Sequence, residues 1–117
     1  MPFRFEGLEI WHLARAYIDL IHGVTAQFPR SELYGLTSQM NRAVHSIALN
    51  IAEGSGLDTH RQFDHHLGIA IGELFEVVSG SFQALDRDYV DQDTHVRVYE
   101  EGDKLARKIN SFRRTLR

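Results

Sequence analysis

Apolar side chains recur at alternating intervals of three and four residues in four segments of the chain, which places them on one face of an α-helix. These segments predict helices at about residues 8–28, 34–53, 59–86 and 92–116, joined by connections of a few residues. Pro29 ends the first segment and no proline follows it, so nothing interrupts the later helices. Because short connections make successive helices antiparallel, the sequence predicts an all-α fold, an antiparallel up-down-up-down four-helix bundle that forms one domain over residues 1–117.

The third segment carries two adjacent apolar stripes rather than one. The first stripe contains Phe63, Leu67, Ala70, Leu74 and Val77, and the second contains Ile71, Phe75, Val78, Phe82 and Leu85. An apolar arc of this width predicts that the helix contacts partners on two sides. Gly68 and Gly72 predict a close approach of two helix backbones, and Gly54 predicts a left-handed residue at the end of the second helix.

Other apolar side chains lie off the helical stripes, at Trp11, Ile18, Leu49 and Ile69. A monomer would expose them as a patch, and large exposed apolar patches mark interaction sites. They therefore predict that copies of the chain dock together as a homo-oligomer.

The composition is that of a globular protein, with 43% apolar and 25% charged residues in 117. The absence of cysteine excludes disulfides, thiolate metal sites and cysteine nucleophiles. No apolar run approaches the roughly 20 residues of a membrane-spanning helix, and the N-terminus lacks a secretory signal pattern. We therefore expect a cytoplasmic protein with no membrane partner.

The net charge of −3 is unevenly distributed. Residues 104–117 contain six basic side chains and no acidic one, whereas the rest of the chain has 7 basic and 16 acidic residues. This basic tail consists of Lys104, Arg107, Lys108, Arg113, Arg114 and Arg117. Cations at the end of a helix offset its dipole, but six exceed that need and would form a charged rim on an oligomer. Both interpretations stay open.

The sequence contains no recognisable arrangement of catalytic residues. Glu9 and His12 form its one Glu-x-x-His pair, whereas a di-iron bundle needs two such pairs. Glu73 and Glu76 could share a proton, although carboxylates on an exposed helix face are usually solvated. No serine lies in a nucleophile elbow and no glycine-rich loop follows a strand. We therefore expect no enzymatic activity, no catalytic or metal-ligating residue and no cofactor.

A histidine cluster supports the alternative interpretation. His60, His65 and His66 lie with Asp64 at the start of the third predicted helix. Their spacing does not put all three rings on one face, which favours solvated or interface histidines. A histidine-based metal-binding protein or metalloenzyme is therefore kept as the alternative function.

The end of the second predicted helix carries a carboxylate, which is unfavourable at that position. Glu53 lies in the last turn, where the helix dipole disfavours a carboxylate, so a cationic partner is expected. Arg42, Arg61 or an arginine of a neighbouring subunit would serve, and Asn50 lies on the same side of the helix. This network either fixes the corner between the second and third helices or contacts a ligand or nucleic acid.

The sequence closely resembles a family of small four-helix-bundle proteins encoded by intervening sequences of bacterial large-subunit ribosomal RNA genes. The resemblance is carried by Leu8-Glu9-Ile10-Trp11, Phe28-Pro29, Glu32-Leu33-Tyr34-Gly35-Leu36-Thr37-Ser38-Gln39-Met40, Arg42-Ala43, Ser46-Ile47, Asn50-Ile51-Ala52-Glu53-Gly54-Ser55-Gly56 and Ala70-Ile71-Gly72-Glu73-Leu74-Phe75-Glu76. It implies an antiparallel bundle that assembles as a ring-shaped homopentamer without known enzymatic activity. It also suggests RNA or DNA as a partner.

This chain departs from the family pattern at two places. Family members often have two basic residues where this chain has Asn41-Arg42, and basic residues where it has Leu57-Asp58-Thr59-His60. Both differences remove positive charge and weaken the nucleic-acid inference. A regulatory partner encoded by a neighbouring gene, as in toxin–antitoxin pairs, is a further hypothesis that the residues do not address.

Overall fold

The computed structural model describes residues 2–117 and contains four α-helices: α1 (Glu9–Thr25), α2 (Leu36–Ser55), α3 (His60–Asp86) and α4 (Gln92–Arg114). Two short 3₁₀ helices, Arg4–Gly7 and Arg30–Glu32, precede α1 and α2. No strand occurs within residues 2–117. The predicted all-α class with four helices is confirmed.

The helices pack as a bundle in which each contacts its neighbours in sequence, and α4 closes against α1. The molecule measures 44 × 23 × 22 Å, and a helix as long as α3 spans about 40 Å, so the helices follow the long axis. The end of α2 faces the start of α3 at Gly54 and Phe63, and the start of α2 faces the end of α3 at Met40 and Gly80. These two helices are therefore antiparallel, and the short connections favour the same up-down order for the others.

The core is built from the apolar faces that the spacing indicates. Its large, fully buried aliphatic side chains come from all four helices, namely Ile21, Val44, Ile47, Ile51, Leu67, Leu74, Val77, Val98 and Ile109. Burying each such side chain contributes about 1.5–3 kcal/mol. In the described part of the chain, no helix has the length and apolar character needed to cross a bilayer.

Two predictions about glycines are wrong. Gly54 does not end α2 in a left-handed conformation, because α2 continues to Ser55 and no described glycine has a positive φ. Its role is close packing, since a Cβ there would lie 2.8 Å from the His66 Cβ and 2.9 Å from the Phe63 Cδ1. A Cβ at Gly72 would meet no atom within 4 Å, and one at Gly68 would meet the Arg113 side chain rather than a helix backbone.

Glu32 fixes the start of α2. Its Oε1 accepts a hydrogen bond from the Leu36 N–H at 3.1 Å, and its Oε2 accepts one from the Tyr89 hydroxyl at 2.8 Å. These bonds hold the pKa of Glu32 below its usual value, with the Leu36 bond as the largest cause. One carboxylate thus caps α2 and ties the α1–α2 connection to the α3–α4 connection.

Candidate functional site

The predicted network at the α2–α3 corner forms around a histidine rather than an arginine. Glu53 Oε2 lies 3.8 Å from His66 Nδ1, and the same nitrogen lies 3.1 Å from Asn50 Oδ1. Arg42 instead pairs with Glu76 at 3.6 Å, about 16 Å along α2 from Glu53. Arg61 is exposed and forms no ion pair within residues 2–117. The expectation that Arg42 or Arg61 is the partner of Glu53 is therefore wrong within this chain.

Asn50 connects the two helices. Its amide Nδ2 donates to the backbone oxygen of Ser46 at 2.9 Å and lies 3.1 Å from the Ser46 hydroxyl, which orients Oδ1 toward His66 on α3. Asn50 and His66 are both half-buried, so the bond between them is partly shielded from water. The network links α2 to α3 at this corner, and a ligand or nucleic-acid contact there stays a prediction.

Glu73 provides the one orphaned polar atom among the described buried side chains. Its Oε2 is shielded from solvent and has no hydrogen-bond partner. Desolvation is the largest cause that raises the pKa of Glu73, the negative charge of Glu76 adds to it, and Arg42 opposes it. This carboxylate can hold a proton or accept a bond from a group outside the chain.

Most of the basic tail pairs with acids of the same chain. Lys108 Nζ lies 3.3 Å from a Glu9 oxygen, and Arg107 Nε lies 3.0 Å from an Asp103 oxygen. Arg114 donates to the Ser111 hydroxyl at 3.0 Å, and Lys104 lines a cleft of about 190 Å³ between α1 and α4.

The end of the tail is held by Asp64. Arg113 Nε donates to Asp64 Oδ1 at 2.8 Å, and Arg117 lies 3.4 Å from the same oxygen. The bond from Arg113 is the largest cause that lowers the pKa of Asp64. Ion pairs with acidic residues of the same chain thus neutralise a large part of the positive charge of the basic tail.

Arginines nevertheless collect at one end of the bundle, where α2 meets α3 and α4 finishes. This basic end comprises Arg4, Arg61, Arg113, Arg114 and Arg117. The Arg4 guanidinium lies 5.1 Å from the centre of the Phe63 ring, which places it at this end. The opposite end carries the α3–α4 connection, in which Asp86, Asp88 and Asp91 outnumber Arg87, and Arg30 also lies at that end. The charge is therefore polarised along the long axis.

The histidine cluster does not form a metal site. Asp64 is engaged by two arginines, and His66 faces Asn50 and Glu53. The ring of His65 lies 5.9 Å from that of His66 in an edge-to-face arrangement. Nowhere in residues 2–117 do three His, Asp or Glu side chains converge on a point suited to a metal ion. The alternative of a metal site at His60, His65, His66 and Asp64 is therefore wrong.

An exposed strip of aromatic side chains runs along α3 and α4. This aromatic strip consists of Phe75 and Phe82 of α3, exposed to 65% and 46%, and Tyr99 of α4, exposed to 50%. The strip borders a groove of about 380 Å³ whose floor includes Leu74 and Val78. The second apolar stripe of α3 is thus only partly covered by α4.

A second, smaller apolar area lies on the other side of α3. Leu49 of α2 is 66% exposed and Ile69 of α3 is 38% exposed, and we call this pair the aliphatic strip. Trp11 and Ile18 do not join it, because both pack against the core. Trp11 is covered by Phe5, whose ring centre lies 4.6 Å away. The exposed patch expected from off-stripe residues is therefore confirmed for two of four.

Sequence reasoning did not identify Tyr99 as part of an exposed surface. Tyr99 follows Val98, which is buried, so the core periodicity of α4 concealed it. The available signal was its spacing of three residues from Val96, which is also exposed. Such a pair marks an apolar face beside the core stripe.

Comparison with known proteins identifies both the family and the fold. The family model described as 23S rRNA-intervening sequence protein matches residues 6–111. A solved protein of unknown function from the S23 ribosomal protein family of Bacteroides thetaiotaomicron superimposes with a TM-score of 0.82. It is 15% identical, and the alignment covers 89% of this chain and 97% of that one. No curated protein matches this chain.

Proposed function

The chain belongs to the family of 23S rRNA-intervening sequence proteins, and from this premise we propose that it is a non-enzymatic scaffold that assembles as a ring-shaped homopentamer. The aromatic strip carries the proposal. Phe75, Phe82 and Tyr99 are each about half exposed or more, and together they border an apolar groove. Covering a large apolar side chain contributes about 1.5–3 kcal/mol, so a face with three of them favours association.

The position of the aliphatic strip supports a ring rather than a simple dimer. A ring of more than two copies needs two different complementary surfaces on each copy, whereas a two-fold dimer needs one self-complementary surface. Ile69 and Phe75 are six residues apart on α3, which separates their directions by about 120°. We propose that the aromatic strip of one copy covers the aliphatic strip of the next.

Light scattering coupled to size-exclusion chromatography tests this assembly. Five copies of the 13.4 kDa chain should elute as a particle of about 67 kDa at micromolar concentration. Phe75→Glu should dissociate it, because a carboxylate in a buried apolar contact is not tolerated. Tyr34→Glu is the matched control, since Tyr34 is 94% exposed in the α1–α2 connection, outside both strips. A 13 kDa wild-type chain, or equal dissociation by both variants, would refute the proposal.

We further propose that RNA or DNA is contacted at the basic end of the assembled particle. The support is the cluster of five arginines at that end and the unpaired Arg61 within it. Asp64 neutralises part of the charge at this end of one copy, but a ring would repeat the end in every copy. The assembled particle would therefore present more positive charge than a single chain. The candidate contacts are Arg42, Arg61 and the basic tail, with Arg61 expected to contribute most, because Arg42 faces Glu76.

Retention of single-stranded DNA and of ribosomal RNA fragments tests the nucleic-acid contact. Binding should be strongest at low salt and fall steeply as salt rises, since each contact releases counterions. Arg61→Ala should weaken it, and Arg30→Ala, an exposed arginine at the opposite end, should not. Absence of binding at low salt, or the same loss in both variants, would contradict this contact and leave the scaffold proposal standing.

A further inference from the structure

A cleft with an apolar floor lies between α1 and α4, and its volume is about 190 Å³. The floor consists of Leu13, Tyr17 and Leu20 of α1 and Leu105 of α4. Tyr17 and Leu105 are buried, and the two α1 leucines are half-buried. The Tyr17 hydroxyl donates to the Val98 backbone oxygen at 3.0 Å, which holds the ring against α4. The cleft therefore presents a fixed apolar surface.

Three charged side chains of α4 line the same cleft. Arg97, Glu101 and Lys104 lie within about 60° of one another around the helix, because they follow at intervals of four and three residues. All three are exposed, and none forms an ion pair within residues 2–117. Burial is the largest cause that raises the pKa of Tyr17, and the charge of Glu101 adds to it, so this carboxylate lies near the floor. The edge of the cleft thus carries one negative group between two positive groups.

We propose that the cleft binds a free amino acid with an apolar side chain, such as leucine, in its zwitterionic form. The Arg97 guanidinium donates two parallel hydrogen bonds to the carboxylate of the ligand, and Glu101 accepts hydrogen bonds from its ammonium group. The apolar side chain of the ligand lies on the floor, where contact with the leucines removes apolar surface of both partners from water. The aliphatic stem of Lys104 covers the ligand from the side.

The charges and the volume of the cleft select this class of ligand. A fatty acid would bring its carboxylate to Arg97 but would also approach Glu101, which repels it. An apolar amine would pair with Glu101 but would leave both cations without a partner. A zwitterion pairs with charges of both signs. The cleft is also smaller than the pockets of about 300–1,000 Å³ that hold drug-sized molecules, so it suits a ligand of amino-acid size.

The site is complete within one chain. The residues that line the cleft come from α1 and α4, and none of them belongs to the aromatic strip or the aliphatic strip. Binding of an amino acid therefore does not depend on the proposed ring, and its test does not depend on the oligomeric state.

Calorimetry with L-leucine tests the site in the full chain. The wild type should bind one leucine per chain at millimolar concentration. Three analogues should each bind more weakly by about tenfold or more, because each lacks one recognised group. Leucinol lacks the carboxylate, isocaproate lacks the ammonium group, and glycine lacks the apolar side chain.

Variants of α4 assign the two charged contacts. Arg97→Ala and Glu101→Gln should each weaken leucine binding by about tenfold or more, since each removes a charge-assisted hydrogen bond. Glu100→Gln is the matched control, because Glu100 is exposed on the same helix but does not line the cleft. It should leave the affinity unchanged. Circular dichroism confirms that each variant remains helical.

An NMR titration locates the bound leucine. Backbone amide shifts should change at Leu13, Leu20 and Leu105, and not along the aromatic strip. Absence of binding at millimolar leucine, or equal binding of leucine and isocaproate, would overturn the proposal. Unchanged affinity in Arg97→Ala or Glu101→Gln would overturn it as well, and so would shift changes confined to other parts of the chain.

Discussion

Replacing Glu73 by glutamine should increase stability at neutral pH. In the folded chain Glu73 Oε2 is shielded from solvent without a hydrogen-bond partner, and the Glu76 carboxylate is a close neighbour. Desolvation first, and then the charge of Glu76, raises the pKa of Glu73 above its ordinary value of 4.5. The ionised carboxylate therefore opposes folding, and a neutral side chain of the same shape removes that penalty.

The sign of the pH dependence follows from proton linkage. A raised pKa means that the folded chain binds the proton more tightly than the unfolded chain does. The stabilising contribution of protonated Glu73 is complete below the pKa of the unfolded chain, and it is lost as the pH rises through the raised pKa of the folded chain. The advantage of the glutamine variant should therefore be largest near neutral pH and shrink on acidification.

The expected gain is about 1 kcal/mol. An unsatisfied buried polar group costs about 1–3 kcal/mol, and the lower end applies because the Glu73 side chain is only half-buried and Arg42 offsets part of the penalty. For a domain of this size, the gain corresponds to a rise in Tm of about 4 °C.

Urea unfolding between neutral pH and about pH 4 checks this prediction. The comparison uses two chains that both carry Phe75→Glu, one with Glu73 and one with Glu73→Gln. The proposed subunit contact then does not contribute to the free energy of unfolding of either chain. Glu100→Gln is the control, because Glu100 is exposed on α4 and forms no ion pair in residues 2–117. A loss of stability at neutral pH on Glu73→Gln, or a gain that does not shrink on acidification, would refute the reasoning.

Four other stability predictions follow from single positions. Gly54→Ala should lower the free energy of unfolding by about 1–3 kcal/mol, since its Cβ would lie 2.8 Å from a facing Cβ of α3. Gly72→Ala, with no atom in reach, should raise it by up to about 1 kcal/mol, and urea unfolding of both chains measures the contrast. Tyr89→Phe should lower the Tm by removing the hydrogen bond to Glu32, and an unchanged Tm would show that this bond contributes nothing. Because the pKa of Asp64 is lowered in the folded chain, the ionised Asp64 stabilises the fold above the pKa that Asp64 has in the unfolded chain. This stabilisation is lost as the pH falls through the pKa that Asp64 has in the folded chain. In urea unfolding, Asp64→Asn and the wild type should therefore have converging stabilities at acid pH.

The helices are predictable because their signal is local. The interval of three and four residues fixes which face of each helix is apolar, and the side chains on those faces form the observed core. The two stripes of α3 also predict a helix with more apolar surface than one neighbour covers, and the exposure of Phe75 and Phe82 agrees with that prediction.

The partners of the polar residues are not predictable, because they depend on how two helices align. The sequence predicts an arginine beside Glu53, but the alignment of α2 with α3 brings His66 to it. The basic tail gives no sign that Arg113 reaches Asp64, which lies 49 residues earlier in the chain. Spacing along one helix determines its faces, but it does not determine which residue of another helix lies opposite.

The similarity to the solved Bacteroides protein separates the helix arrangement, which the apolar pattern determines, from the contacts between particular polar side chains. At 15% identity the two chains still superimpose with a TM-score of 0.82, so most side chains differ while the helices keep their arrangement. An apolar pattern of the right spacing and volume is enough to preserve such a bundle. A polar contact such as the hydrogen bond between His22 and His45 needs two particular residues on two helices in one alignment. The shared fold therefore carries no prediction of such side-chain contacts in the Bacteroides protein.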